Sequence, residues 1–151
     1  MDGSTEEMKE GYGIYHDVYI EKTADQVFSA ITMPEKLILW WPKTCNGYPE
    51  LNTRYKYYFS PEYDWEAEVV ELKLNHSIFF KMVDSDEDWD PTTFGYILIP
   101  HKEGTMLQFS HTGWQQRNHA FRRTSFCWAI LLKGLKNFLE KGIIIPFPER
   151  A

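Results

Sequence analysis

The sequence holds little with which to cross-link itself, chelate a metal or enter a membrane. Its 151 residues include two cysteines, Cys45 and Cys127, far apart and with no close Cys or His at metal-ligand spacing. That pattern is neither a disulfide framework nor a zinc signature, and reads as two reduced thiols. No apolar run approaches the roughly 20 residues a membrane helix needs. The opening MDGSTEEMKE is polar and acidic where a secretory signal would be basic and then apolar. A cytoplasmic protein without membrane insertion is expected. Positive charge is scarce too: 16 Lys plus Arg against 22 Asp plus Glu leave a net charge of −6, which repels phosphate backbones and argues against a nucleic-acid partner. A Gly-rich phosphate loop, a nucleophile elbow, HExxH and CxxC are all missing, so nothing supports a hydrolase or kinase, and no cofactor is expected.

Aromatic side chains are what the chain has in excess, at 17% of residues with 6 Trp, 9 Tyr and 10 Phe. Large flat rings either fill core volume or line concave sites for flat ligands, and Tyr and Trp add a polar handle. The length suits one domain. Residues 1–13 read as a flexible leader, 14–142 as the domain and 143–151 as an apolar tail.

IYHDVYIE (14–21) alternates with the period of two of a half-buried strand. Two short helices follow, ADQVFSAIT behind a Thr23/Gln26 capping box and PEKLILWW with Pro34 at its first position. TRYKYYFS, WEAEVVELKL, SIFFKMV, TFGYILIP and TMLQFSHTGW then read as five strands of an antiparallel meander. From about Asn118 to Lys141 the period turns helical, with Phe121, Ser125, Trp128, Leu132, Leu135 and Leu139 on one stripe and Gly142 as the C-terminal cap. A long amphipathic helix buries its stripe only against another layer. The expected class is therefore α+β, a curved antiparallel six-stranded sheet, in the order β-α-α-β5-α, around a long C-terminal helix.

DSDEDWDP places Asp84, Asp86, Asp88 and Asp90 at every second position, similar to a calcium loop. Trp89 stands where that loop needs Gly, and Gly95 where it needs the bidentate Glu. A solvated acidic hairpin tip without metal is expected.

The ordered strings IEKTADQVFSAIT, PEKLILWWP, TRYKYYF, EAEVVEL, SIFFKM, GTMLQFSHTGW and CWAILLKGLKNFLEKG, over roughly residues 14–142, resemble the START-like (SRPBCC) superfamily of helix-grip proteins. Within it they resemble the family named after the activator of the heat-shock-protein-90 ATPase homologue. The resemblance implies an apolar cavity between the concave face of the sheet and the first half of the long helix.

Alternation directs Tyr55, Tyr57 and Phe59, then Phe80 and Met82, then Tyr96, then Phe109 and His111, to that concave face. Together with Trp41, Trp65, Phe121, Arg122, Ser125 and Trp128 they are the candidate ligand-binding residues. The competing reading is that the rings fill the core. Ser125 either bonds its own helix backbone or leaves room for a ligand, and Arg122 and Arg123 either meet a ligand carboxylate at the cavity mouth or solvate a surface. His111 has two readings, a satisfied core histidine or a group that orients or protonates a ligand. Phe126 and Ile130 fall on the outer pole of the helix, where the 143–147 tail or a second copy of the chain would cover them. Three functions follow as expectations: a binding module for a small, mostly apolar, aromatic-containing molecule; a co-chaperone-type protein-interaction module; and a cyclase- or dehydratase-type enzyme using His111.

Overall fold

Alternating apolar and polar side chains build a sheet here, and a 3.6-residue stripe builds the helix that lies against it. The computed structural model describes residues 11–151, so the expected leader falls largely outside the described residues. Strand β1 (Tyr12–Ile20) leads into α1 (Ala24–Thr32) and α2 (Pro34–Leu37). Strands β2 (Thr44–Asn46), β3 (Arg54–Ser60), β4 (Tyr63–Lys73), β5 (Ser77–Asp84), β6 (Thr93–His101) and β7 (Gly104–Trp114) follow, then the long α3 (His119–Lys141) and a 3-10 turn at Phe147–Glu149.

The sheet is antiparallel throughout, curved and unclosed, in the order β1-β7-β6-β5-β4-β3-β2. The α+β helix-grip architecture expected from the sequence is the one observed, with seven strands in place of six. The additional strand is β2, which pairs Cys45 with Tyr57 at the sheet edge. Three residues are too few to display a period of two, so this pairing is invisible in the pattern. Helix α2 is also shorter than PEKLILWW suggests. It ends at Leu37 and continues as turns, which direct Trp40 back to α1, where its indole N–H donates to the Ala30 carbonyl at 2.9 Å.

The concave face holds the residues alternation assigns to it: Tyr55, Tyr57, Phe80, Met82, Tyr96, Phe109 and His111 are all buried. Trp128, Leu132 and Leu135 of α3 are buried over them, with Phe121 and Leu139 packed at the margins. The helix starts at Asn118, whose side chain accepts from the Phe121 N–H. It stops at Gly142, whose φ of +70° is the left-handed conformation that a residue without Cβ adopts at least cost. Both cysteines are free, and burial pushes the Cys45 thiol up to about 12. Among the described residues no helix is long and apolar enough to cross a membrane.

Candidate functional site

Five segments distant in sequence converge on a cavity of about 560 Å³ beside the first half of α3. The turn after α2 contributes Trp41, the β3–β4 hairpin Phe59, Tyr63 and Trp65, and the β5–β6 loop Asp86, Asp88 and Trp89. Helix α3 contributes Arg123, Thr124, Cys127 and Trp128 among others, and the tail adds Phe147, Pro148 and Arg150.

The floor is a closed circuit of five aromatic side chains. Successive ring centroids are 5.7 Å apart for Trp41–Phe59, 5.0 Å for Phe59–Trp65, 4.4 Å for Trp65–Trp89, 6.1 Å for Trp89–Trp128 and 4.8 Å for Trp128–Trp41. Phe94, fully buried, lies 5.5 Å from Trp41, 6.5 Å from Trp89 and 5.7 Å from Trp128, and so supports the circuit from the sheet side. Below that level lie the fully buried rings of Tyr55, Tyr57, Phe80, Tyr96 and Phe109.

Of the candidate residues, Trp41, Phe59, Trp65 and Trp128 line the cavity. Tyr55, Tyr57, Phe80, Met82, Tyr96 and Phe109 lie deeper, in the packed concave face. The Tyr55 hydroxyl donates to the Thr32 carbonyl at 2.7 Å, whereas the buried Tyr96 hydroxyl has no protein partner. Phe121 turns to the other flank of α3, against Tyr12 and Trp114. On that flank Ser125 accepts through its carbonyl from His16 Nε2 at 3.1 Å. Arg122 is exposed and does not line the cavity; its neighbour Arg123 does.

His111 is fully buried, and both of its ring nitrogens are engaged. The Trp128 indole N–H donates to Nδ1 at 3.1 Å, so Nδ1 is the bare nitrogen and Nε2 carries the hydrogen. That N–H donates to Thr92 Oγ1 at 2.7 Å, and the Thr92 hydroxyl donates to the Trp89 carbonyl. The relay thus begins on one tryptophan of the cavity floor and ends on the backbone of another. Its role in this geometry is to fix the floor, since neither nitrogen is open to a ligand. Burial lowers the imidazole to about 3, which keeps it neutral and preserves the acceptor at Nδ1.

The aspartate run acts as a scaffold for Trp89. The Asp86 carboxylate accepts from the Trp89 N–H at 3.1 Å, Asp90 accepts from Ser85 Oγ at 2.6 Å, and Asp88 accepts from Asn118 Nδ2 at 3.3 Å. The carboxylates are spent on separate donors, and no group of three His, Cys, Asp or Glu able to hold a metal occurs among the described residues. Burial pushes the Asp86 carboxyl above its usual value, and the negative charges of Asp88 and Asp90 add to the effect. On the opposite rim Arg150 anchors the tail: its guanidinium donates to the carbonyl of Ile38 at 2.9 Å and to those of Trp41 and Pro42 at 3.4 Å.

Of the two arginines expected at the mouth, Arg123 lines the cavity, whereas sequence reasoning missed Trp89, Asp86, Asp88, Cys127 and the tail as parts of this site. One signal was available: a tryptophan inside an acidic run is too large and apolar to be left in water. On α3, Arg123, Thr124, Cys127 and Leu131 form a second stripe, roughly 90° around the axis from the Leu132/Leu135 stripe at 3.6 residues per turn.

The family model described as activator of Hsp90 ATPase homolog 1-like protein matches residues 21–140. Sequence comparison with curated proteins finds no match. Among solved structures, the Aha1 dimer from Colwellia psychrerythraea superposes with a TM-score of 0.80 at 23% identity, covering 87% of this chain and 98% of that one. Protein SSP2350 from Staphylococcus saprophyticus gives 0.76 at 18%, covering 89% and 96%. Protein MLL2253 from Mesorhizobium loti gives 0.76 at 17%, covering 88% and 100%. Likeness at these identities is likeness of fold.

Proposed function

The chain belongs to the family of activator of Hsp90 ATPase homolog 1-like proteins, and from its cavity we propose that it is a small-molecule binding protein for a mostly apolar, aromatic-containing ligand. The observation that carries this reading is the five-ring floor of a cavity of about 560 Å³, inside the range of ~300 to 1,000 Å³ usual for such sites. Flat π surfaces held rigid by a buried relay give a flat ligand contact area without the entropy of ordering flexible side chains. The tail and the acidic loop supply polar rims that orient it.

Native mass spectrometry of freshly purified protein is expected to show a bound small molecule, or the stripped protein to take up a neutral bicyclic aromatic such as naphthol with micromolar affinity. A tenfold or greater loss in Trp65→Ala is expected, because Trp65 joins Phe59 to Trp89 in the floor. A stripped protein that takes up none of a panel of such compounds removes the reading.

A second reading, a protein-contact surface, is favoured by one observation. Phe126 and Ile130, four apart on α3, are 68% and 39% exposed, and Ile143 and Ile144 after the helix are 48% and 50% exposed. The tail folds back against the segment after α2 through Arg150 but leaves this strip open. A strip of aliphatic and aromatic surface that pairs with itself suits a homodimer. The expected result is a monomer–dimer equilibrium in analytical ultracentrifugation that Phe126→Asp shifts to monomer. Monomer alone at every concentration ends the dimer form of this reading, leaving the chaperone of the family's description to be tested by ATPase stimulation.

A further inference from the structure

The cavity pairs two features that its apolar character does not require. Five π faces meet at the floor, and the three cation–π contacts found among the described residues, on Tyr12, Tyr19 and Phe147, leave all five without a protein cation. Beside them on the β5–β6 loop stand Asp86 and Asp88, and neither has a cationic partner within 4.0 Å among the described residues. Asp86 is half-buried, and one of its oxygens is committed to the Trp89 N–H. Its negative charge is therefore held against the edge of the aromatic floor without a counterion.

Aromatic faces carry negative quadrupole potential and attract a cation most strongly where water is excluded, and a neighbouring carboxylate adds to the same field. The positive groups at the rim are placed differently. Arg150 is spent on four backbone carbonyls, and Arg123 lines the cavity from an exposed position on α3. We propose that the ligand is an organic cation, a quaternary or protonated amine on an apolar or aromatic frame, whose charge sits between the Trp65/Trp89 side of the floor and Asp86. This rests on the binding reading above and adds the sign of the ligand's charge.

Three probes of one ring and similar size separate the possibilities: benzyltrimethylammonium, benzyl alcohol and phenylacetate, titrated by calorimetry into stripped protein at low salt. The cation is expected to bind at least tenfold more tightly than phenylacetate. Asp86→Asn keeps the oxygen that accepts from the Trp89 N–H but removes the charge, and is expected to weaken the cation at least threefold with little effect on the alcohol. Arg123→Gln removes a repulsive charge and is expected to tighten it. A packing role for Asp86 would move all three probes together, which overturns the proposal. Equal or tighter binding of the alcohol or the anion also overturns it and leaves the binding reading standing. Failure of all three probes, and of the neutral bicyclic panel, removes both.

Discussion

Trp128→Ala is expected to cost about 3–5 kcal/mol of folding stability, the usual range for emptying a buried Trp or Phe site. The indole is 1% exposed and has ring centroids 4.8 Å from Trp41, 4.3 Å from Phe109 and 5.7 Å from Phe94. It is thus the point at which helix, sheet and the α2 turn meet. Its removal leaves a void that those partners, on three separate elements, fill only in part, and it leaves His111 Nδ1 a buried acceptor without a donor. Trp128→Phe separates the two effects. It retains most of the ring volume but not the N–H, and should cost about 1–3 kcal/mol, the penalty for one unsatisfied buried polar group. Urea unfolding of both variants checks this. A loss under about 1.5 kcal/mol for the alanine variant would show that the core closes over the site, and the proposed floor would lose its keystone. Because whole domains are stable by only ~5–15 kcal/mol, the alanine variant is best measured at low temperature.

Acid is expected to unfold the protein through His111 before its carboxylates take part. The imidazole has a value of about 3 in the fold against an ordinary 6.5. Between those limits the unfolded chain binds a proton that the native protein refuses. Stability is therefore fully present above pH 6.5 and falls as the pH drops, by up to ~1.4 kcal/mol per pH unit and by roughly 3 kcal/mol at pH ~4.5. The neighbours of the ring explain why the native state refuses the proton: Trp89, Phe94, Trp114 and Trp128 surround it, and none carries a charge to offset imidazolium. Protonation would also place a second N–H against the Trp128 donor. His111→Asn retains an acceptor for Trp128 but no titrating group, and should flatten the slope between pH ~6.5 and ~5, a window in which most carboxylates stay ionised. Denaturant midpoints measured across that window decide it. A slope that survives in His111→Asn would place the acid sensitivity elsewhere.

These two expectations involve residues that the sequence shows in different ways. Trp128 sits on the helical stripe and His111 on the alternation of β7, so their burial follows from periodicity alone. Their hydrogen bond does not, because nothing in a linear pattern says that positions 17 residues apart, on a helix and a strand, share a register. The same limit explains why the pattern does not separate Arg122 from Arg123 at the mouth, or Ser125 from Cys127 on the wall. Periodicity identifies the buried stripe of α3, but its two flanks are equivalent until β1 takes one, through His16, and the acidic loop and tail take the other.

What the sequence determined by itself is which side of each element avoids water, since periods of 2 and 3.6 are properties of local backbone geometry. From that came six of the seven strands, the long helix and the layer architecture. Only the tertiary structure decided whether the aromatic residues fill space or enclose it, because that depends on how ring volumes from five separated segments add up at one place. There the deep set closes on itself at Phe94, while Trp41, Phe59, Trp65, Trp89 and Trp128 stop one layer short and leave a cavity of about 560 Å³.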